Sequence, residues 1–420
     1  MDPVTHELLD ERYSMTSRTD VRRGIGILAD DLTSAGDGAA PFRRAGHEAR
    51  IILSEPATAP ARAPGVTAVD LGTRLLDEGA AAARNERAAH LFAGSALLLK
   101  TVDSTLRGHV AAEIRAAWAG SRRRAVVVAP AFPAEGRVTR GAVQYVHGVP
   151  VHESDFAHDP VHPVRCADLT TVLPDAVVVG PEQADELPAL TGRGALIVCS
   201  AAVDGDLDRL VAAVPHLDDV LWVGSPGLAA ALARRCAHAD GSEAHVPPPT
   251  PAPARRPLVV VGSANPATRR QLAALHSRAD VQGVTVGHDP VPAMEELRAL
   301  TAPVLTLRTP DERQPPASSR ALAASLTAVV RALVEERQVD ALVVTGGETA
   351  ASVLRGLGID GVDLIDEPEP GVARGTPPGL PSLPVMIKAG GFGNDELLLR
   401  LCDLVRQRTR RPSPHLGART

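Results

Sequence analysis

Short, unbroken apolar runs recur along the chain, each closed by a small, charged or hydroxyl residue. In the first half they are GIGILA from Gly24, ALLLK from Ala96, AVVVAP from Ala125, AVVVG from Ala176, ALIVCS from Ala195 and VLWVG from Val220. Continuous rather than alternating apolar residues suit strands buried on both faces, as in a parallel sheet, and the alanine-rich stretches between them suit helical crossovers. The pattern resumes with PLVVVGS (257–263), TVGHDP (285–290), VLTLRT (304–309), DALVVTGG (340–347) and VMIKAGG (385–391), with helices predicted near 266–279, 316–337 and 348–356. Between the two series lies HADGSEAHVPPPTPAPARRP, 238–257, whose prolines remove backbone donors and favour extended chain. The expected organisation is an N-terminal domain over 21–240, a Pro-rich linker over 241–256 and a C-terminal domain over 257–408. The two halves do not read as copies of one another. One segment breaks the rhythm: APAFPAEGRVTRGAVQYVHGVPVHESDFAHDPVHPVR, 129–165, has no evident strand period and is long for a connection, which predicts a functional loop or lid.

Composition narrows the classes. A chain of 420 residues, 44% of them hydrophobic, can bury two cores, and a formal charge of -6 supplies no global field for a polyanion, so nucleic acid is not the expected partner. The four cysteines, Cys166, Cys199, Cys236 and Cys402, show neither CxxC nor other metal-ligand spacing. The first twenty residues lack the apolar centre of a signal peptide, and no stretch of about 20 residues reads as a membrane span, so a cytoplasmic enzyme is expected. The basic, proline-containing tail from Arg406 is expected to fray.

Candidate chemistry gathers where apolar runs end. Asp30 and Asp31 follow Ile25 to Ala29, at the carboxyl edge of a predicted parallel sheet, where ligands of α/β proteins bind. Asp31, Thr33 or Ser34 can cap the next helix while an acid faces the crevice; both acids acting only as caps is the plainer alternative. The run ending at Lys100 leads into Asp103, Ser104, Thr105, Arg107, Gly108 and His109. Asp103 and Ser104 can hydrogen-bond hydroxyls, Arg107 can clamp a carboxylate through two donors, and Gly108 permits a close or positive-φ backbone. Together they describe a pocket for a small hydroxylated acid, with salt bridging of Lys100 or Arg107 to nearby acids as the ligand-free alternative. His109 reads as a helix-surface residue. In the 129–165 segment, Arg137 and Arg140 could line an anion pocket, whereas Gln144, Tyr145, His147, Gly148, Asp155, Asp159 and His162 match no established metal pattern.

The second half offers three strand–glycine–helix turns: Gly262 and Ser263; Gly346 and Gly347 with Glu348 and Thr349; and the GGFG turn with Gly391. Exposed N–H groups at such helix starts can hold phosphate. None is a Walker or Rossmann fingerprint. Acids in one half and glycine turns in the other make a phosphotransferase the economical reading, with a base deprotonating a sugar hydroxyl for attack on a γ-phosphate assisted by Mg²⁺. A nicotinamide-dependent hydroxy-acid oxidoreductase would need a dinucleotide fingerprint that is missing. A non-catalytic acid-sugar sensor would not need the three turns.

In order, ADDLTSAGD (29–37), KTVDSTLRGHVAAEI (100–114), the loop from Pro130, WVGSPGLAAALA (222–233), VGSANPATRRQL (261–272), VTGGETAASVLRGLGI (344–359) and KAGGFG (388–393) resemble the four-carbon acid sugar kinase family. The resemblance implies a two-domain α/β kinase, each domain a largely parallel sheet flanked by helices, with the active site in the interdomain cleft. It implies ATP and Mg²⁺ as cofactors and phosphorylation of the terminal hydroxyl of threonate, erythronate, 3-oxo-tetronate or a branched or oxidised relative. By motif, Asp30, Asp31, Lys100, Asp103, Ser104, Arg107 and Gly108 would meet the acid sugar, with Asp30 or Asp31 as base. Ser263, Gly346, Gly347, Glu348, Thr349 and Gly391 would meet ATP. Neither nucleic acid nor membrane is an expected partner, and a homo-oligomer is compatible with the sequence. One departure stands out: where the family's opening motif commonly reads DDxTGA, Ser34 occupies the glycine position, which bears on pocket size.

Overall fold

A computed structural model describes residues 23–54, 64–159, 162–237, 252–262, 265–312 and 315–406. The first twenty residues, most of the Pro-rich linker, Ser263 and the basic tail after Arg406 lie outside the described residues. The chain divides into two compact units on either side of position 246.

The first unit runs β1 (Ile25–Ala29), α1 (Leu32–Arg44), β2 (Ala49–Ile52), β3 (Val66–Asp70), α2 (Glu78–Leu91), β4 (Leu97–Thr101), α3 (Val110–Ser121) and β5 (Ala125–Ala129). It continues through β6 (Arg137–Arg140), β7 (Val143–Val146), β8 (Val149–Pro150), α4 (Leu169–Val172), β9 (Val177–Val179), α5 (Leu187–Gly192), β10 (Leu196–Cys199), α6 (Asp204–Ala213), β11 (Val220–Gly224) and α7 (Pro226–Ala237). Its strands lie in the order β2-β3-β1-β4-β11-β5-β10-β9, every neighbouring pair parallel. β1, β4, β5, β10 and β11 are buried along their whole length, which is why each reads as a solid apolar run. β2 and β3 escaped the sequence reading because polar residues interrupt them, as in the half-exposed ARII of β2.

The segment 129–165, read as having no evident strand period, does contain strands. β6, β7 and β8 form a three-stranded antiparallel sheet, followed by 3₁₀ turns at Val151–Glu153 and Asp155–His158. Strands of four and two residues carry too few alternations to register as a period.

The second unit runs β12 (Pro257–Val261), α8 (Pro266–His276), β13 (Val281–Thr285), α9 (Val291–Ala299), β14 (Val304–Arg308), α10 (Pro316–Glu335), β15 (Ala341–Thr345), α11 (Gly347–Gly356), β16 (Gly361–Glu369), β17 (Val372–Thr376), β18 (Val385–Lys388) and α12 (Leu397–Arg406). The order is β13-β14-β12-β15-β18-β17-β16, parallel through β18 and antiparallel across β18-β17-β16. The hairpin β16–β17 was not legible as strands, since DEPEPG breaks the apolar pattern at its turn. The TVGHDP run marks the end of β13 rather than a strand of its own.

Contrary to the reading that no stretch could span a bilayer, Ala317–Glu335 is long and apolar enough by composition to do so. In this fold Leu322, Leu326, Val329, Val330 and Leu333 of α10 form one buried stripe at helical spacing, while Arg320 and Arg331 are exposed. That is the pattern of a core-facing helix.

Helices α2 and α3 approach closely because Gly120 carries no side chain: a Cβ there would lie 2.0 Å from the Glu86 carbonyl oxygen. Gly120→Ala should therefore push the helices apart and destabilise the protein by about 1–3 kcal/mol, the usual range for overpacking. Urea unfolding followed by far-UV circular dichroism checks this, and an unshifted midpoint would show that the contact carries no constraint.

Candidate functional site

Parallel register sets the site. Ala29 pairs with Asp70 and Leu28 with Lys100, so the carboxyl ends of β3, β1 and β4 lie side by side. The loops leaving those ends carry Arg74, the Asp30–Asp31 pair and Asp103–Arg107.

Asp31 is the N-cap of α1: its Oδ1 accepts from the Ser34 backbone N–H at 2.7 Å and the Thr33 hydroxyl at 2.8 Å. Its other oxygen, Oδ2, accepts from Nη1 of Arg74. Arg74 also donates from Nε to Oδ2 of Asp30 at 2.9 Å and from Nη2 to the Ser34 hydroxyl at 3.3 Å. One planar guanidinium thus bridges both acids. The pair is at once a cap and a charged edge, so the two readings of these acids are compatible. Asp30 is almost fully buried, and its Oδ1 has no hydrogen-bond partner among the described residues. Burial by itself would raise the Asp30 carboxyl, but the cations of Arg74 and Lys100 outweigh it and hold it below its ordinary value. The main-chain oxygen of Asp30 accepts from the backbone N–H of Thr73 at 2.9 Å, tying the 70s loop to the end of β1.

Asp103 is organised the same way. Its Oδ1 accepts from the Thr105 N–H at 3.0 Å and hydroxyl at 2.9 Å, and its Oδ2 from Nε of Arg107. Burial opposes ionisation here too, but Arg107, Arg74 and the Thr105 N–H prevail, keeping the carboxyl well below the usual range. Arg107 lies 5.4 Å over the Phe156 ring and reaches Asp159 at 3.4 Å, so the antiparallel insertion closes over this loop. The turn needs Leu106 at φ 60° and Gly108 at φ 94°, the latter a conformation glycine adopts freely. The insertion contributes more: Nη1 of Arg137 donates to the Ser104 hydroxyl at 2.7 Å, and Nε2 of the buried Gln144 donates to the Ser104 carbonyl at 2.7 Å.

Lys100 is placed differently from the other residues expected to meet substrate. It is fully buried, its Nζ 2.8 Å from Glu113 of α3 and 2.7 Å from the Thr101 carbonyl, so it acts on the site through its charge. His109 is half-buried rather than on a helix surface: it stands at the N-cap of α3, bonds the Leu76 carbonyl at 2.8 Å and packs edge-on against His162 at 5.2 Å.

Two residues of this cluster were missed by the sequence reading. Arg74 sits in LGTRLLDEG, a stretch that ends no long apolar run and carries no motif to flag it. Asp37, two turns into α1, is half-buried and shares a helix face with Ser34. Burial, with Asp31 and Asp103 nearby, pushes its carboxyl up to about 7 against the opposing pull of Arg137 and Arg74. The signal was the third acid of ADDLTSAGD, six residues after Asp31.

In the second unit the glycine turns converge because β12, β15 and β18 are adjacent and parallel, with Val261 opposite Thr345 and Thr345 opposite Lys388. Gly346 caps α11 at φ 86°, and its N–H donates to the Lys388 carbonyl at 2.8 Å. Thr349 fills the space beside Gly262, where a Cβ would come within 2.3 Å of its Oγ1. The 389–394 turn is held by Thr268, which donates to the Gly390 carbonyl at 2.7 Å, and by Gln271, which donates to the carbonyls of Phe392, Gly393 and Asn394. Gly391, exposed, lies beside Asn265, the N-cap of α8. Gly347 is buried at the start of α11 and Glu348 is exposed there. Ser263 lies outside the described residues. A further residue the sequence reading passed over is Lys388: fully buried, its Nζ donates to the carbonyls of Ala389 at 2.8 Å and Gly390 at 3.3 Å, and burial brings it down to about 8. Among the described residues, no group of three His, Cys, Asp or Glu side chains is arranged to hold a metal ion.

Comparison with known proteins matches this division. Residues 25–232 match the model of a sugar-binding N-terminal domain, and residues 258–398 that of a nucleotide-binding C-terminal domain. A D-threonate kinase of Bordetella bronchiseptica is 37% identical, the alignment covering 91% of this chain and 98% of that protein. A D-threonate kinase of Cupriavidus necator is 36% identical over 89% of this chain and 95% of its own length. The crystal structure of a Salmonella typhimurium protein, 20% identical, superposes with a TM-score of 0.71, covering 90% of this chain and 98% of that one, a likeness of fold. With near-complete coverage of such relatives and both halves matched in order, the chain belongs to the four-carbon acid sugar kinase family.

Proposed function

We propose that the protein is an ATP-dependent kinase that phosphorylates the terminal hydroxyl of a four-carbon acid sugar, with D-threonate the first substrate to test. The observation that carries the reading is the pair of guanidiniums, Arg74 and Arg107, interleaved with Asp30, Asp31 and Asp103 at one sheet edge. A small acid with several hydroxyls needs both kinds of partner: a fork of donors for its carboxylate and acceptors for its hydroxyl protons. Asp30, buried and with no hydrogen bond to its Oδ1 among the described residues, adds negative charge beneath them. D-threonate is favoured by the names of the two relatives described above.

The glycine turns of the second unit fit a nucleotide's phosphates. Gly346 at positive φ exposes the N-terminal N–H groups of α11, and helix starts attract anions. Lys388 is a buried cation whose Nζ meets only main-chain carbonyls among the described residues, so it adds positive charge beneath that turn. Mg²⁺ in this reading arrives with ATP, held mainly by phosphate oxygens and water as is usual for that ion, and supplies charge neutralisation. The chain's own part is to orient the acid sugar through Arg74, Arg107 and Ser104, to keep its hydroxyl among carboxylates, and to seat the phosphates on the glycine turns.

An ADP-release assay over D-threonate, D-erythronate, 3-oxo-tetronates and branched acid sugars, with the phosphate position read by NMR, tests the reading; a folded protein that binds ATP yet turns over none of them would overturn it. Arg107→Ala should raise KM for the acid by about tenfold or more while leaving KM for ATP within about twofold, because it removes a carboxylate fork. Equal effects on both would assign Arg107 to folding. Gly346→Val should weaken ATP binding by about tenfold or more, since φ 86° is costly for a β-branched residue; calorimetric titration with a non-hydrolysable ATP analogue reads this.

A further inference from the structure

The carboxylates of the first unit's site differ in what already occupies their oxygens. Asp31 is committed on both: Oδ1 to the Ser34 N–H and Thr33 hydroxyl, Oδ2 to Arg74. Asp103 is likewise committed to Thr105 and Arg107. Asp30 has one open oxygen, but its other accepts from Arg74 and the whole group is nearly inaccessible. A carboxylate held by a guanidinium binds protons poorly, because protonation must give up the ion pair. All three suit recognition better than proton removal.

Asp37 is the exception. It projects from α1 one turn beyond Ser34, whose hydroxyl is part of the Arg74 clamp. The charged groups around it are Asp31 at the start of its own helix, Arg74 from the loop after β3, Asp103 from the loop after β4 and Arg137 from β6. Among the described residues no hydrogen bond or ion pair engages its carboxylate, and the residue is half-buried. We propose that Asp37 is the general base: its free carboxylate takes the proton of the acceptor hydroxyl as that oxygen attacks the terminal phosphorus of ATP. This rests on the kinase reading above. In the step a new O–P bond forms on the sugar, the bond from the terminal phosphorus to the β-bridging oxygen breaks, ADP leaves with that electron pair, and the proton on Asp37 passes to solvent after product release. Burial and two nearby acids disfavour its charge, against the pull of two arginines that flank the group without pairing with it among the described residues. The resulting proton affinity, near neutrality, is what a base working near pH 7 requires.

The test compares the wild-type protein with Asp37→Asn and Asp37→Glu from pH 5.5 to 9, measuring kcat on the best acid sugar and substrate affinity by calorimetry. With a base that ionises near neutrality, wild-type kcat should rise about tenfold per pH unit below pH 7 and level off above it. Asp37→Asn should lose about 100-fold or more in kcat, flatten the acid limb and keep substrate Kd within about threefold. Asp37→Glu should recover part of the rate together with the limb. The proposal is overturned if Asp37→Asn keeps kcat within about threefold and the same limb, or if its loss of rate is matched by an equal loss of substrate affinity and a lowered melting temperature that glutamate does not rescue. If the wild-type protein phosphorylates no acid sugar, the kinase reading itself fails and the role of Asp37 falls with it.

Discussion

The Arg74 guanidinium is the constraint on which the first unit's site depends. Two adjacent carboxylates at the end of a buried strand repel each other, and Asp30 is almost wholly removed from water. Without a cation between them one would take up a proton, and the helix start at Asp31 would lose an ionised cap. Arg74 resolves both difficulties with a planar fork that reaches Asp30, Asp31 and Ser34 at once. Its own position is set by the Asp30 carbonyl, which accepts from Thr73, and by His162, which meets the Arg74 carbonyl. The same residues therefore supply the charges of the candidate site and fix the loops that carry them.

The unit repeats this logic one strand over. Asp103 and Arg107 form a second acid–guanidinium pair in a turn that runs through two positive-φ residues, and Arg137 and Gln144 of the small antiparallel sheet brace Ser104 from above. Beneath both pairs, Lys100 and Glu113 form a buried ion pair whose cation biases Asp30 towards its charged state. Removing one member of such a pair typically costs about 3–5 kcal/mol, so the charges are coupled through the core as well as at the strand ends.

The second unit reaches a comparable order with few charges. Its 389–394 turn is held by main-chain carbonyls that accept from Thr268, Gln271 and Lys388, and the Gly346 N–H ties the next turn to the Lys388 carbonyl. Lys388 and Lys100 occupy equivalent places, each the last charged residue of a buried strand donating to the carbonyl of the residue that follows it, yet among the described residues only Lys100 has a carboxylate beside it. A buried ammonium without an acid beside it among the described residues is brought down to about 8 by burial.

Much of this was legible in one dimension wherever a single element encodes its own environment. Fully buried parallel strands must be apolar throughout, so β1, β4, β5, β10, β11, β12, β15 and β18 announced themselves, and with them the strand ends that carry Asp30, Asp31, Asp103 and the glycine turns. Half-exposed β2, the two- and four-residue strands of the insertion and the β16–β17 hairpin did not, because their periodicity is short or interrupted. Which charge meets which was beyond the sequence. Arg74 is 43 residues from Asp31, and Lys100 has its partner on the next helix; only parallel pairing of β3, β1 and β4 brings those side chains into one electrostatic unit. The chain by itself determined the strands, their carboxyl ends and the residue types waiting there. The tertiary fold decided which acids are ion-paired and which, like Asp37, is left with its carboxylate open, because proton affinity is set by neighbours across the sheet rather than along the chain.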